Sequence, residues 1–357
     1  METIVFAGSF DPMTNGHLYI IKEAMKIAEN VIVLVCNNSN KQYMFEPHER
    51  KEIITNIIND EGISSNVTVE VLSDRYVSEW MTENNYTHLI RGIRNTADFD
   101  QEKLITNTNR SVLGDAQTIF IIPPSNLASV SSSFVKGLIG PKYWSYRINN
   151  FLPNASYNAI LVNFIKKQCI SLIRGGNVFK LVISAYSDED RYYHNLSHLC
   201  EVINTLKING DLNGQSYMYA LLHDIVYNGK CNGYDGVIDK NLSDEENSFI
   251  IAKNLNSDYS YEFIKRTSYK EDLSYGWEKR FAASDMSILA APSDIYDQYS
   301  VNIRKEYSRY SDEEYNKGRV EVLENLLIYV ERNEIFDNIS LKQVQKNVNR
   351  EISKLRE

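Results

Sequence analysis

In the first half of the chain the apolar residues come in short, β-branched runs: Thr3-Ile4-Val5-Phe6, Val31 to Val35, Thr87 to Ile90 and Ile119 to Ile122. Between them the apolar positions fall at helical spacing. Strand-sized runs alternating with amphipathic helices predict a parallel sheet flanked by helices, an α/β domain. Near residue 168 the pattern changes. Strand-like runs nearly vanish and apolar residues recur every three or four positions: Leu199, Ile203, Leu206; Tyr217, Leu221, Leu222; Val320, Leu323, Leu326, Leu327. That periodicity predicts an all-α second domain. A chain of 357 residues is too long for one compact domain, and two, 1–168 and 169–357, fit it well. A helix from about Ser156 to Lys167 is expected to run directly into the second domain. Arg174-Gly175-Gly176-Asn177 reads as a turn, and the charged C-terminal stretch as a solvated helix.

Directly after the first apolar run comes Gly8-Ser9-Phe10-Asp11-Pro12-Met13-Thr14-Asn15-Gly16-His17. A glycine turn followed by Thr-Asn-Gly-His reads as the passage from strand to helix. Backbone N–H groups in the turn and the positive helix end favour an anion there, and His17 adds a side-chain donor. An ordinary βα unit with a hydrogen-bonded histidine would carry the same letters. Three further polar segments follow later runs. Lys41 comes after the second. Arg91-Gly92-Ile93-Arg94, with Asp98 and Glu102 behind it, comes after the third. Val130-Ser131-Ser132-Ser133 opens a helix after the last. All lie past the C-terminal ends of expected strands, where open α/β sheets bind ligands.

Together these segments, in order and at their spacing, resemble the bacterial phosphopantetheine adenylyltransferases, nucleotidyltransferases with a Rossmann-like sheet, from Met1 to about residue 168. The resemblance implies that Ser9 and Phe10 lie where nucleotide and acceptor phosphate meet, and that His17 contacts the ATP phosphates. By the same token Lys41 and Arg91 hold the phosphate of 4′-phosphopantetheine, and Val77 lines its pantetheine arm. Gly92, Ile93, Arg94 and Glu102 would bind ATP, as would Leu127 to Ser133, including Ser131 and Ser132. The implied reaction yields dephospho-coenzyme A and pyrophosphate. In-line attack on the α-phosphorus needs positioning and positive charge rather than a protein nucleophile. His17, Lys41, Arg91 and Arg94 are the residues expected to supply them. Mg²⁺ is expected with the triphosphate and mostly bound by it. The chain departs from the family at Ser9 (usually Thr), at Gln101 (usually aromatic) and at Leu127-Ala128-Ser129 (usually a Trp-Ser-Phe-type run). Those positions approach adenine and acceptor, so nicotinamide mononucleotide is the alternative acceptor. Arg91-Gly92-Ile93-Arg94 followed by Ala97-Asp98-Phe99 argues for the pantetheine branch.

Half of the six histidines sit in two motifs of the second half: Tyr193-His194-Asn195-Leu196-Ser197-His198 and Leu221-Leu222-His223-Asp224-Ile225-Val226-Tyr227. On a helix His194 and His198 would share a face. His223 and Asp224 in an apolar helix are costly to bury without a partner. A divalent cation would resolve that cost, and such ligands suit Mn²⁺, Fe²⁺, Ni²⁺ or Zn²⁺. Hydrogen-bonded core histidines are the plain alternative. A histidine, a later His-Asp pair and a distant Asp in Ala282-Ala283-Ser284-Asp285-Met286 resemble the HD superfamily of metal-dependent phosphohydrolases. Tyr193 to His198, His223 to Tyr227, Glu245-Glu246-x-Ser248, Asp285 to Leu289 and Tyr307 to Arg319 resemble an uncharacterised group within it. That likeness covers about residues 170 to 340. It implies His198, His223, Asp224 and Asp285 as metal ligands, His194 as a phosphate contact or extra ligand, and Glu245 as a water-positioning group. Water activated by the metal would then attack a phosphoester. The chain has Thr267-Ser268-Tyr269-Lys270 where this group commonly carries a histidine, and Ala283 where it carries a carboxylate. Two readings of the whole chain follow: a bifunctional enzyme, or an adenylyltransferase with a nucleotide-binding or oligomerisation module.

Composition narrows the setting. The formal net charge is −9, so nothing suggests a nucleic-acid or anionic-membrane surface. Cys36, Cys169, Cys200 and Cys231 show no paired spacing, as expected for reduced thiols in a cytoplasm. No basic-apolar leader and no run of about 18 apolar residues occurs. A cytoplasmic homo-oligomer acting on small molecules is expected.

Overall fold

The computed structural model describes residues 2–38, 41–73, 75–113, 117–169, 176–255 and 259–357. The side chains of Gln101 and Cys169, and the Arg174-Gly175 part of the expected turn, lie outside them. The chain divides into two compact units: 1–139 with 147–160, and 140–146 with 161–357.

The first unit is built on β1 (Thr3–Gly8), β2 (Asn30–Cys36), β3 (Val67–Leu72), β4 (His88–Gly92) and β5 (Gln117–Ile121). They form one parallel sheet in the order β3-β2-β1-β4-β5, with Phe6 opposite Val33 and Arg91 opposite Phe120. This is the Rossmann-like arrangement expected. The order reverses between β1 and β4, so the crevice past their carboxyl ends is where a ligand fits. β1 and β2 are buried on both faces, which is why they read as continuous apolar runs, whereas edge strand β3 alternates. The helices are α1 (Asn15–Ala24), α2 (Pro47–Asp60), α3 (Val77–Glu83), α4 (Thr96–Leu113), α5 (Ser125–Ala128) and α6 (Ser132–Gly137). On one sheet face Ile4, Phe6, Val33 and Ile90 pack with Ile21, Ile54 and Ile57. On the other, Val5, Ile32, Leu34 and Leu89 pack with Trp80 and Met81 of α3.

Two helices, α7 (Trp144–Ile148) and α8 (Asn154–Cys169), have residues in both units. The rest of the second unit is helical: α9 (Gly176–Tyr186), α10 (Leu196–Ile208), α11 (Gly214–Leu222), α12 (Asp244–Leu255), α13 (Gly276–Asp285), α14 (Ser293–Glu306), α15 (Asp312–Arg332) and α16 (Asn338–Arg356). α10 is buried from Leu196 to Leu206 and forms the centre of the packing. Its Glu201, itself buried, accepts hydrogen bonds from the Tyr143 N–H (2.8 Å), the Ser145 N–H (3.0 Å) and the Ser145 hydroxyl (2.7 Å). Trp144 packs on Phe164 with ring centroids 5.0 Å apart, and Trp277 stacks on Tyr219 at 5.5 Å. The C-terminal stretch is not simply a solvated helix: Val344, Val348 and Ile352 of α16 are buried, and its Glu351 pairs with buried Arg319 at 2.9 Å. Among the described residues no helix is long and apolar enough to cross a membrane.

Candidate functional sites

In the first unit, α1 starts immediately past the β1 turn. The Thr14 N–H donates to Nδ1 of His17 at 3.0 Å. Because Nδ1 accepts, the neutral ring carries its proton on Nε2. Burial, reinforced by Arg94 and then Arg91, lowers the His17 pKa to about 4, so this donor is neutral at pH 7. A cavity of about 610 Å³ opens at the sheet's carboxyl edge. Ser9, Phe10, His17, Lys41, Val77, Arg91, Gly92, Arg94, Glu102, Leu127, Ser131, Ser132 and Ser133 all line it. Ile93 is buried and is not part of the lining. Arg91 forms a two-pronged pair with Glu102, both contacts at 2.8 Å, and donates to the Ala7 carbonyl. Arg94 pairs with Asp98 through Nε at 2.8 Å and Nη2 at 3.2 Å. Ser131 caps α6, and the Ser132 hydroxyl donates to the Pro12 carbonyl at 2.7 Å.

Two further residues organise this cavity through contacts distant in the sequence. Asp11, almost wholly buried, accepts from the Met44 N–H (2.9 Å), the Phe45 N–H (3.0 Å) and Lys136 Nζ (2.9 Å). It ties the β1 turn to the loop carrying Lys41 and to α6. Arg50, fully buried on α2, donates to the Ser9 carbonyl (2.7 Å), the Cys36 carbonyl (3.0 Å) and Asn37 Oδ1 (2.9 Å). Its guanidinium also lies 4.2 Å from the centre of the Tyr43 ring.

In the second unit His198, His223 and Asp285 bring one ligand atom each to within 4.8 Å of one another, and Asp224 lies beside the two histidines. His198 Nε2 is 3.2 Å from Asp285 Oδ1 and 3.6 Å from Asp224 Oδ2. His223 Nε2 is 3.3 Å and 3.1 Å from the same two atoms. Both Nε2 atoms are buried without a hydrogen-bond partner. Two orphaned imidazole nitrogens facing two carboxylate oxygens are the donor set a divalent transition metal takes, so the residues fit such an ion. Burial opposes charge on both rings, but the two carboxylates outweigh it and hold both histidines above their usual value. The same attraction holds Asp224 and Asp285 low.

Two local expectations are corrected. α11 ends at Leu222, so His223 caps it and Asp224 lies in the following turn rather than in a helix. His194 precedes α10, whose N-cap is Asn195, so it does not share a helix face with His198. It reaches the same cavity from the loop. Its Nδ1 is 2.8 Å from Glu306, whose carboxylate also accepts from the Tyr193 N–H (2.7 Å), the His194 N–H (2.9 Å) and the Tyr227 hydroxyl (2.7 Å). Glu245 lines the cavity as well. Arg191, buried before α10, donates to the carbonyls of His194 (3.1 Å), Asp224 (2.7 Å) and Ile225 (2.9 Å), joining the two histidine motifs. The Tyr269 hydroxyl donates to Asp285 Oδ2 at 2.5 Å, leaving Oδ1 toward the histidines.

Residues 5–137, which carry the parallel sheet and the cation-lined cavity past β1 and β4, match the Cytidylyltransferase-like family, a class of nucleotidyltransferases. The chain is 35% identical over 161 residues to a phosphopantetheine adenylyltransferase from Chromobacterium violaceum, spanning 96% of that protein and 45% of this one. It is 40% identical over 136 residues to another from Leuconostoc mesenteroides, spanning 81% of that protein and 38% of this one. Through its first half the chain belongs to the phosphopantetheine adenylyltransferase family. A Plasmodium falciparum nicotinic acid mononucleotide adenylyltransferase structure overlaps 47% of this chain and 97% of its own, at 19% identity and a TM-score of 0.36, too low to argue from.

Proposed function

We propose that the first unit transfers the adenylyl group of ATP to 4′-phosphopantetheine, and that the second is an HD-type, metal-dependent phosphohydrolase. The observation that carries the first reading is the convergence of Lys41, Arg91, Arg94 and His17 on one cavity, in a chain spanning nearly the whole of its adenylyltransferase relatives. An acceptor phosphate oxygen attacks the α-phosphorus in line, and the bond to the pyrophosphate oxygen breaks. Lys41 and Arg91 neutralise the acceptor phosphate, while Arg94 and the Nε2 proton of neutral His17 face the nucleotide phosphates. Ser9, Phe10 and Ser131 to Ser133 enclose them, with Mg²⁺ arriving on ATP. Glu102 and Asp98 hold the two arginines in place beforehand. Pyrophosphate release from ATP with 4′-phosphopantetheine, and none with nicotinamide mononucleotide, is the expected result. The reverse preference overturns the acceptor assignment.

The second reading is carried by the two buried, unpartnered Nε2 atoms opposite Asp224 and Asp285. A divalent cation there would offset phosphate charge and acidify water. His198, His223, Asp224 and Asp285 would hold it. His194, oriented through Nδ1 by Glu306, presents Nε2 to the leaving oxygen, and Tyr269 fixes the Asp285 carboxylate. Elemental analysis of the purified chain should find about one transition-metal ion, and Asp224→Ala should remove it. A chain with no metal after growth and refolding with Mn²⁺, Fe²⁺, Ni²⁺ or Zn²⁺ overturns the reading.

A further inference from the structure

The cavity over the His198–His223 cluster measures about 320 Å³, near the small end of ligand pockets. Among the described residues its wall contains no lysine and no arginine. It carries Asp244 and Glu245 at the start of α12, besides Asp224 and Asp285. The remainder is mostly aromatic and aliphatic, including Tyr227, Tyr299, Tyr307, Leu289 and Leu326. The first unit's cavity, which offers Lys41, Arg91 and Arg94, has the opposite character.

Charge decides what such a wall accepts. Carboxylate ligands would offset much of the charge of a divalent cation, leaving enough for one phosphate but little for a second. Each further phosphate adds at least one negative charge, and the wall offers it Asp244, Glu245, hydroxyl groups and His194 but no lysine or arginine, the nearby Arg319 being committed to Glu351 and Tyr299 behind the wall. A flat or apolar organic group, by contrast, meets tyrosine rings and leucine side chains suited to it.

Building on the phosphohydrolase reading, we infer that the second unit acts on monophosphate esters with an aromatic or apolar organic part, such as nucleoside monophosphates, and discriminates against di- and triphosphates. The step is hydrolysis: a water oxygen bonds to phosphorus, the ester P–O bond breaks, and the proton given up by water ends on the leaving oxygen. Alcohol and inorganic phosphate are the products, with no change of oxidation state.

The test uses the full-length, Mn²⁺-loaded protein and measures phosphate release from the mono-, di- and triphosphates of adenosine, guanosine and uridine. Within the best series, kcat/KM for the monophosphate should exceed that of its diphosphate by about tenfold or more. Leu326→Arg, which adds a cation to the wall, should narrow that gap. Calorimetric binding of non-hydrolysable phosphonate analogues, taken as the difference from Asp224→Ala, should follow the same order. Equal or better use of diphosphates overturns this inference and leaves the phosphohydrolase standing. Metal bound at the cluster with no phosphate released from any ester overturns both.

Discussion

At the scale of single residues, His17 has the clearest pH signature. Its folded pKa of about 4 lies below the ordinary 6.5, so its stabilising share is whole above pH 6.5. That share is lost as the pH falls from 6.5 through 4, because the unfolded chain takes up a proton that the native pocket refuses. His17→Gln should therefore close on the wild type by roughly 3 kcal/mol between pH 7 and pH 4, measured as unfolding of the first unit in denaturant. A constant difference across that range would show that the native ring takes up its proton as readily as the unfolded chain does. His17→Ala should lower adenylyl-transfer turnover by roughly 10²-fold, with a smaller change in ATP affinity. Asp11 predicts a different split. Asp11→Asn weakens the bond to Lys136 and leaves one buried donor unmatched, costing about 1–3 kcal/mol. Since it anchors the Lys41 loop, KM for the acceptor should rise more than KM for ATP. Equal shifts in both would mean that Asp11 serves stability alone. The placing of His17 and Arg91 at the cavity was legible, because His17 follows the turn after β1 and Arg91 stands at the carboxyl end of β4. The duty of Asp11 was not, since its partners lie more than thirty residues away.

Among elements, the strands were the most legible part, because apolar runs buried on both faces leave little choice of position. The end of α11 was harder. A helix continued through His223 and Asp224 would use the Asp224 and Ile225 carbonyls itself, but Arg191 takes both, and the chain turns there. Glu306, at the far end of α14, was invisible as a partner of His194 from 112 residues away. These two contacts make separable predictions. Arg191→Lys cannot reproduce the forked donation to three carbonyls, so the cluster loosens and metal affinity should fall roughly 10–100-fold. Glu306→Gln touches none of the four ligands. It should lower phosphoester turnover while metal content stays at the wild-type level, as read by elemental analysis beside a phosphate-release assay. Loss of metal in Glu306→Gln would instead make His194 a ligand.

For the whole molecule, each unit has its own core, so a metal in the second should stabilise it without reaching the first. An ion present at 100 to 1,000 times its dissociation constant contributes about 3–4 kcal/mol, and a chelator should remove that amount from the second transition only. One transition lowered as a unit would show that the two halves melt together. The change of periodicity put a division near residue 168, whereas the compact units exchange at 139–147 and at 160. The transfer of residues 140–146 to the second unit was not legible, since it rests on Glu201 and on the ring of Phe164. The placement of the aromatic side chains offers a way to tell the transitions apart by light. Of three tryptophans, Trp80 alone lies in the first unit's core, while Trp144 and Trp277 lie in the second. In a chain carrying Trp144→Phe and Trp277→Phe, the red shift of indole emission on heating would come from the nucleotide-binding half by itself. The complementary Trp80→Phe chain would give the other half its own colour signal.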